Sequence, residues 1–77
     1  MRATCDTIGR MLRLFNDYVR GELRRRNETQ EGLAAYLDVN RSTLSYRLNG
    51  KIEWSLRDAL KTCEYFGTDL SEIIEGR

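Results

Sequence analysis

Apolar residues recur along this chain at three- and four-residue spacing, the mark of helices that each bury one side. Ile8, Leu12, Phe15, Val19 and Leu23 draw one stripe, with Met11, Leu14 and Tyr18 as a second beside it, which predicts a long first helix over about residues 6–26. Leu33, Ala34 and Leu37 predict a short one over about 30–37, and Leu44 with Leu48 another over about 41–48. After a connector, Ile52 to Trp54, the inward set Leu56, Ala59, Leu60, Cys63 and Phe66 predicts a fourth helix over about 56–66. Leu70, Ile73 and Ile74 predict a fifth over about 70–75. The expected fold is all-α, five helices packed in one compact unit.

Polar punctuation sharpens these boundaries. Thr29 can cap the second helix and Asn40 the third, each side-chain oxygen accepting from an otherwise unpaired amide. Ser55 with Asp58, and Asp69 with Glu72, stand near capping-box spacing for the last two helices. Gly50 and Gly67 suit left-handed stops. Between the second and third helices lie only Asp38, Val39 and Asn40, with Val39 plugging inward, so the two helices must turn sharply against each other. Ala34 matters there, because a bulky residue would hold them apart. Residues 29–50, TQEGLAAYLDVNRSTLSYRLNG, thus form a helix-turn-helix, a unit whose commonest task is to lay its second helix in the DNA major groove. At about 100° per residue, Ser42, Tyr46, Asn49 and more obliquely Ser45 project away from Leu44 and Leu48.

The words TQEGLAAYL, VNRSTLSYRLNGK and WSLRDALKTCEYFGTDLSEII, with Val19 and Leu23 before them, resemble the Cro and phage-repressor family, also called the xenobiotic-response-element family, of bacterial and phage regulators. The resemblance covers roughly residues 19–74. It implies a five-helix lambda-repressor-like domain. Four positions depart from the family's habit: Asp38 stands where glycine is usual, Glu28 and Arg47 where apolar residues are usual, and Cys63 where alanine is expected.

Composition narrows the alternatives. Seventy-seven residues suggest a single helix-turn-helix domain spanning 1–77, burying roughly 60 to 65% of its unfolded surface, too little for a deep catalytic cleft. The chain is 40% apolar and 32% charged, and no apolar run approaches the roughly 20 residues that span a bilayer. No secretory leader is expected. Cys5 and Cys63 are far apart, without a CxxC pair or any histidine, so neither a zinc site nor a disulfide framework is indicated. Cys63 reads as a small buried apolar residue. Without histidine a serine or cysteine nucleophile lacks its usual base, and no phosphate loop appears, so the reading is of a non-enzyme with no cofactor and no small-molecule ligand. The expected setting is a bacterial cytoplasm, at the nucleoid. Residues 74–77 also spell a protease site used in recombinant expression, so Gly76 and Arg77 carry no part of the reading.

Net charge is only +1, but it is unevenly spread. Residues 1–26 hold seven arginines against Asp6, Asp17 and Glu22, a balance of +4, and residues 27–40 a balance of −3. Residues 41–61 return to +3, and residues 62–77 to −3. Either this is a solvated mixture or it polarises the molecule, turning one face toward phosphates. Arg24, Arg25 and Arg26 suit the carbonyl end of the first helix.

The resemblance assigns Gln30 to phosphate contact, and Arg41, Ser42, Ser45 and Tyr46 to the base-reading positions. Arg41 can donate two hydrogen bonds to guanine, and Tyr46 can either lie against a thymine methyl or donate to a phosphate. Asn40, Arg47, Asn49 and Lys51 are candidate backbone contacts, Arg47 answering nearly as well to a surface salt bridge. The expected partners are a double-stranded DNA operator and a second copy of the chain, the expected function a Cro-like or immunity repressor. A second class stays open, an antitoxin-type module docking a protein through the broad apolar face of the first helix or the acidic carboxyl end.

Overall fold

The computed structural model describes residues 5–75, with side chains from Thr7 onward. The side chain of Cys5, and Gly76 and Arg77, lie outside the described residues. Five helices follow one another: α1 (Cys5–Arg25), α2 (Gln30–Leu37), α3 (Arg41–Leu48), α4 (Leu56–Phe66) and α5 (Leu70–Glu75). No strand occurs among the described residues. Helix α1 packs on α3 and α5, α2 on α3 and α4, and α4 on α5. Val19, Leu33 and Leu44, one from each of the first three helices, are fully buried in a single apolar cluster.

Helix α1 ends a residue earlier than the stripe predicts. Asn27 takes a left-handed conformation (φ 58°), and the Glu28 amide turns back to the Leu23 carbonyl at 2.8 Å, closing the last turn. The basic run beyond is tied down. Glu22 accepts from Arg25 at 2.6 Å and from Arg26 at 3.1 Å. Arg26 also donates to the Phe66 carbonyl at 2.9 Å, its guanidinium 5.0 Å from the centre of the Phe66 ring, so it serves the carbonyl end of α4. Glu28, which departs from the apolar residue usual in the resembled family, stays exposed and accepts from the Tyr65 hydroxyl at 3.0 Å.

The inner face of α4 differs from the one its apolar pattern predicts. Asp58, Ala59, Thr62, Cys63 and Phe66 are buried, whereas Leu60 is 49% and Leu56 69% exposed. Asp58 supplies the reason. Its amide donates to Ser55 Oγ at 3.1 Å, but its carboxylate does not complete a capping box, because Arg47 of α3 holds it at 2.7 Å. Turning Asp58 inward carries Thr62 inward with it, where the Thr62 hydroxyl donates to the Asp58 carbonyl at 2.8 Å. Burial is the first cause raising the pKa of the Cys63 thiol, which suits an inert core residue.

Two further apolar expectations change. Ile8 and Leu14 are 50% and 40% exposed. Ile8 instead borders an open groove with Met11, Trp54, Leu56 and Ile74. Helix α5 buries Ile73 and half-buries Leu70 and Ile74, and it starts where Asp69 Oδ1 accepts from the Glu72 amide at 3.0 Å. That hydrogen bond is the first cause holding the Asp69 carboxyl below its ordinary pKa.

Candidate nucleic-acid interface

The two central helices are delimited by local chemistry. Thr29, in extended conformation, accepts at Oγ1 from the Gly32 amide at 3.3 Å and starts α2. Asp38 closes it in the left-handed region (φ 61°, ψ 40°), and its amide reaches the Ala35 carbonyl at 3.2 Å. A non-glycine residue is strained there, though a short polar side chain tolerates it best. The next amide, of Val39, donates to the Ala34 carbonyl at 3.0 Å, and Val39 packs on the core. Asn40 then accepts at Oδ1 from the Thr43 amide at 2.9 Å and starts α3. Ala34 is buried beneath this turn.

One side of α3 is sealed by Leu44 and Leu48. On the other side Arg41, Ser42, Ser45 and Tyr46 line a single shallow depression. Arg41, Ser42 and Tyr46 are exposed, Tyr46 to 51%, and Ser45 is half-exposed. The four residues singled out as base-facing candidates therefore share one surface. Gln30, the first residue of α2, is half-buried and borders a hollow with Arg20, Arg24 and Glu28. Lys51 is exposed just past Gly50, whose φ of 77° ends the third helix, and the Lys51 amide donates to the Tyr46 carbonyl at 2.8 Å.

The candidate phosphate contacts divide. Asn40 spends its side-chain oxygen on the cap, leaving its amide N–H groups to face outward partners. Asn49 has its oxygen taken by Arg20, whose guanidinium also donates to the Leu48 carbonyl at 2.9 Å. The sequence pattern alone does not mark Arg20. It lies on α1, and a positive group at the carbonyl end of α3 is favoured there. The basic balance of residues 1–26 was the available signal, but nothing in it singles out position 20.

Arg47 takes the salt-bridge alternative. Its side chain is only 12% exposed and turns away from the depression, onto the Asp58 carboxylate (10% exposed). The guanidinium lies 5.5 Å from the centre of the Trp54 ring. Of its two readings the salt bridge is the one seen, but it is part-buried and not on the open surface, because α4 presents Asp58 beside the last turn of α3.

A family profile described as Helix-turn-helix matches residues 22–73, well over half of the chain. The chain belongs to the Cro-type helix-turn-helix family. No curated protein and no solved structure matches it. As a member of this family it is a DNA-binding helix-turn-helix regulator with a lambda-repressor-like arrangement of helices. The matched span of this helix-turn-helix protein begins at Glu22 and so excludes most of α1, including Arg20. No helix among the described residues is long and apolar enough to cross a membrane, and none of their side chains group as a metal site would require.

Proposed function

We propose that this regulator reads operator half-sites by laying α3 in the major groove, and that it acts as a compact Cro-like or immunity repressor of phage or prophage origin in the bacterial cytoplasm. The observation that carries this reading is the uncovered polar side of α3, with Arg41, Ser42, Ser45 and Tyr46 on one surface and the apolar side sealed. Arg41 donates to a guanine edge, and Ser42, Ser45 and Tyr46 test the neighbouring bases. Gln30, Asn40, Asn49 and Lys51 hold phosphates and set register without reading sequence. Arg47 has no part in contact.

Selection of bound fragments from random duplex DNA tests binding, half-site symmetry and base preference together. On the selected duplex, Arg41→Ala should lose about 1 to 3 kcal/mol and relax preference at one base pair. Lys51→Ala should weaken selected and random duplexes alike and flatten the salt dependence by about one phosphate contact. Identical behaviour of the two variants on both kinds of DNA would sink the division of roles.

A homodimer is part of the same proposal, since paired half-sites call for paired subunits. The apolar groove bordered by Ile8, Leu56 and Ile74 supports it, being a surface that water covers poorly. Sedimentation with and without operator should show a dimer at micromolar concentration. The same groove favours one other reading, an antitoxin-type module, which a small partner protein co-purifying in place of a second copy would support.

A further inference from the structure

Arg47, Asp58, Trp54 and Asn16 form one part-buried chain linking α1, α3, the connector before α4, and α4 itself. Arg47 Nη1 donates to Asp58 Oδ2 at 2.7 Å. The guanidinium also faces the Trp54 ring. Trp54 Nε1 in turn donates to Asn16 Oδ1 at 2.8 Å, and the ring stands edge-on to Phe15 with centroids 4.9 Å apart. Asn16 and Asp58 are both buried. The arrangement is not optimised for stability, because Arg47 Nε is buried with no acceptor. An ion pair with both charges withdrawn from water generally contributes no more than apolar residues of similar volume would. What such a chain does supply is direction. A planar guanidinium held by a carboxylate on one side and an aromatic face on another permits one orientation, where a leucine would permit several.

Arg47 follows Tyr46 by one residue and Ser45 by two, so the rotation of α3 about its own axis that satisfies Asp58 and Trp54 also decides where those side chains point. Groups that read a ligand must be held within roughly 10–20° of their working direction. We propose that Arg47 is a positioning residue for sequence reading: locked between Asp58 and Trp54, it fixes the roll of the recognition helix and so controls selectivity without touching DNA. The inference rests on α3 being the reading helix.

The test replaces the pair as a whole. Arg47→Met with Asp58→Leu removes one charge of each sign, so net charge is unchanged, and apolar replacement of the complete pair should keep the protein folded. Arg47→Lys keeps the charge but not the planar group over the indole. Trp54, the single tryptophan of the chain, reports on the local geometry by its emission. Each protein is titrated with the selected duplex and with random duplex at two salt concentrations. The expected result for the double variant is a folded protein with altered Trp54 emission and wild-type affinity and salt slope on random DNA. Its preference for the selected duplex should fall at least about tenfold, about 1.4 kcal/mol. Arg47→Lys should fall in between.

Undiminished preference in the folded double variant would overturn the proposal, as would equal losses on both duplexes with a flatter salt slope, which would make Arg47 a phosphate contact. If the double variant does not fold, Arg47→Lys decides, and full preference in it overturns the proposal. A wild-type protein that itself shows no preference would remove the DNA-reading assignment, and the role of Arg47 with it. A selective wild type alongside an equally selective variant removes the positioning role alone.

Discussion

Helices α3 and α4 lie next to each other in sequence and are held together by Arg47 and Asp58, yet they are built on opposite plans. Helix α3 has eight residues and buries two, Leu44 and Leu48. Helix α4 has eleven and buries five, two of them polar. The first keeps a whole side uncovered and is held by an N-cap, two apolar anchors, the inward contacts of Arg47 and the reach of Arg20 to its carbonyl end. The second is gripped along its length. A helix with one side left uncovered must hold its place with few contacts, so each anchor and cap carries a larger share of its stability than any one contact in α4.

The largest effect expected from that contrast is at Leu44, which is fully buried between α3 and the core. Leu44→Ala should cost about 2 to 5 kcal/mol, measured as a lowered urea midpoint at unchanged slope. Leu60→Ala, the same chemical change on the half-exposed flank of α4, should stay within about 0.5 kcal/mol. Comparable losses at the two positions would mean that Leu60 packs against something the monomer does not show, and would break the comparison.

A smaller effect is expected at the cap. Asn40 satisfies the Thr43 amide and fixes where α3 begins, so Asn40→Ala should cost about 1 kcal/mol in thermal or urea unfolding. Amide exchange should rise most in the first turn of α3. A protection loss spread evenly over all five helices would argue that α3 is not a separately anchored element.

The same contrast explains what was legible in the sequence. The ends of α2 and α3 follow from Thr29, Asp38 and Asn40, because caps and left-handed turns are decided by neighbours in the chain. That Ser42, Ser45 and Tyr46 share one surface follows from helical periodicity, and Arg41 joins them through the family resemblance. What stayed hidden depends on residues far apart. Periodicity places Leu56, Ala59, Leu60, Cys63 and Phe66 on one broad side of α4 but does not say which edge of that side faces the core. Asp58 settles it by reaching Arg47, and the helix rolls until Leu60 emerges. The salt bridge of Arg47 is open to sequence, but its part-buried setting is not: a lone arginine on an amphipathic helix looks solvent-facing until its partner on the next helix is known. Arg20 escaped notice because its acceptors, Leu48 and Asn49, lie 28 and 29 positions away.

The supporting side of the molecule has its own anchor, at the end of α1, and it offers the mildest test. Glu22 accepts from Arg25 and Arg26, and the hydrogen bond from Arg25 is the first cause holding its carboxyl below the ordinary value of 4.5. A depressed carboxyl stabilises the fold above its unfolded pKa, and that contribution disappears as pH falls through the lower folded value. Glu22→Gln should therefore be less stable than the wild type at pH 7, by about 0.5 kcal/mol after solvent screening, with the gap closing on acidification below about pH 4.5. Because Arg26 keeps the Phe66 carbonyl and ring, α4 should remain attached to α1 in this variant. DNA binding should be unchanged at neutral pH, since Glu22 touches neither α3 nor its caps. A loss of selectivity in Glu22→Gln would show that the two regions are mechanically coupled through α1, and that the uncovered helix relies on the gripped side of the fold more than its own two anchors suggest.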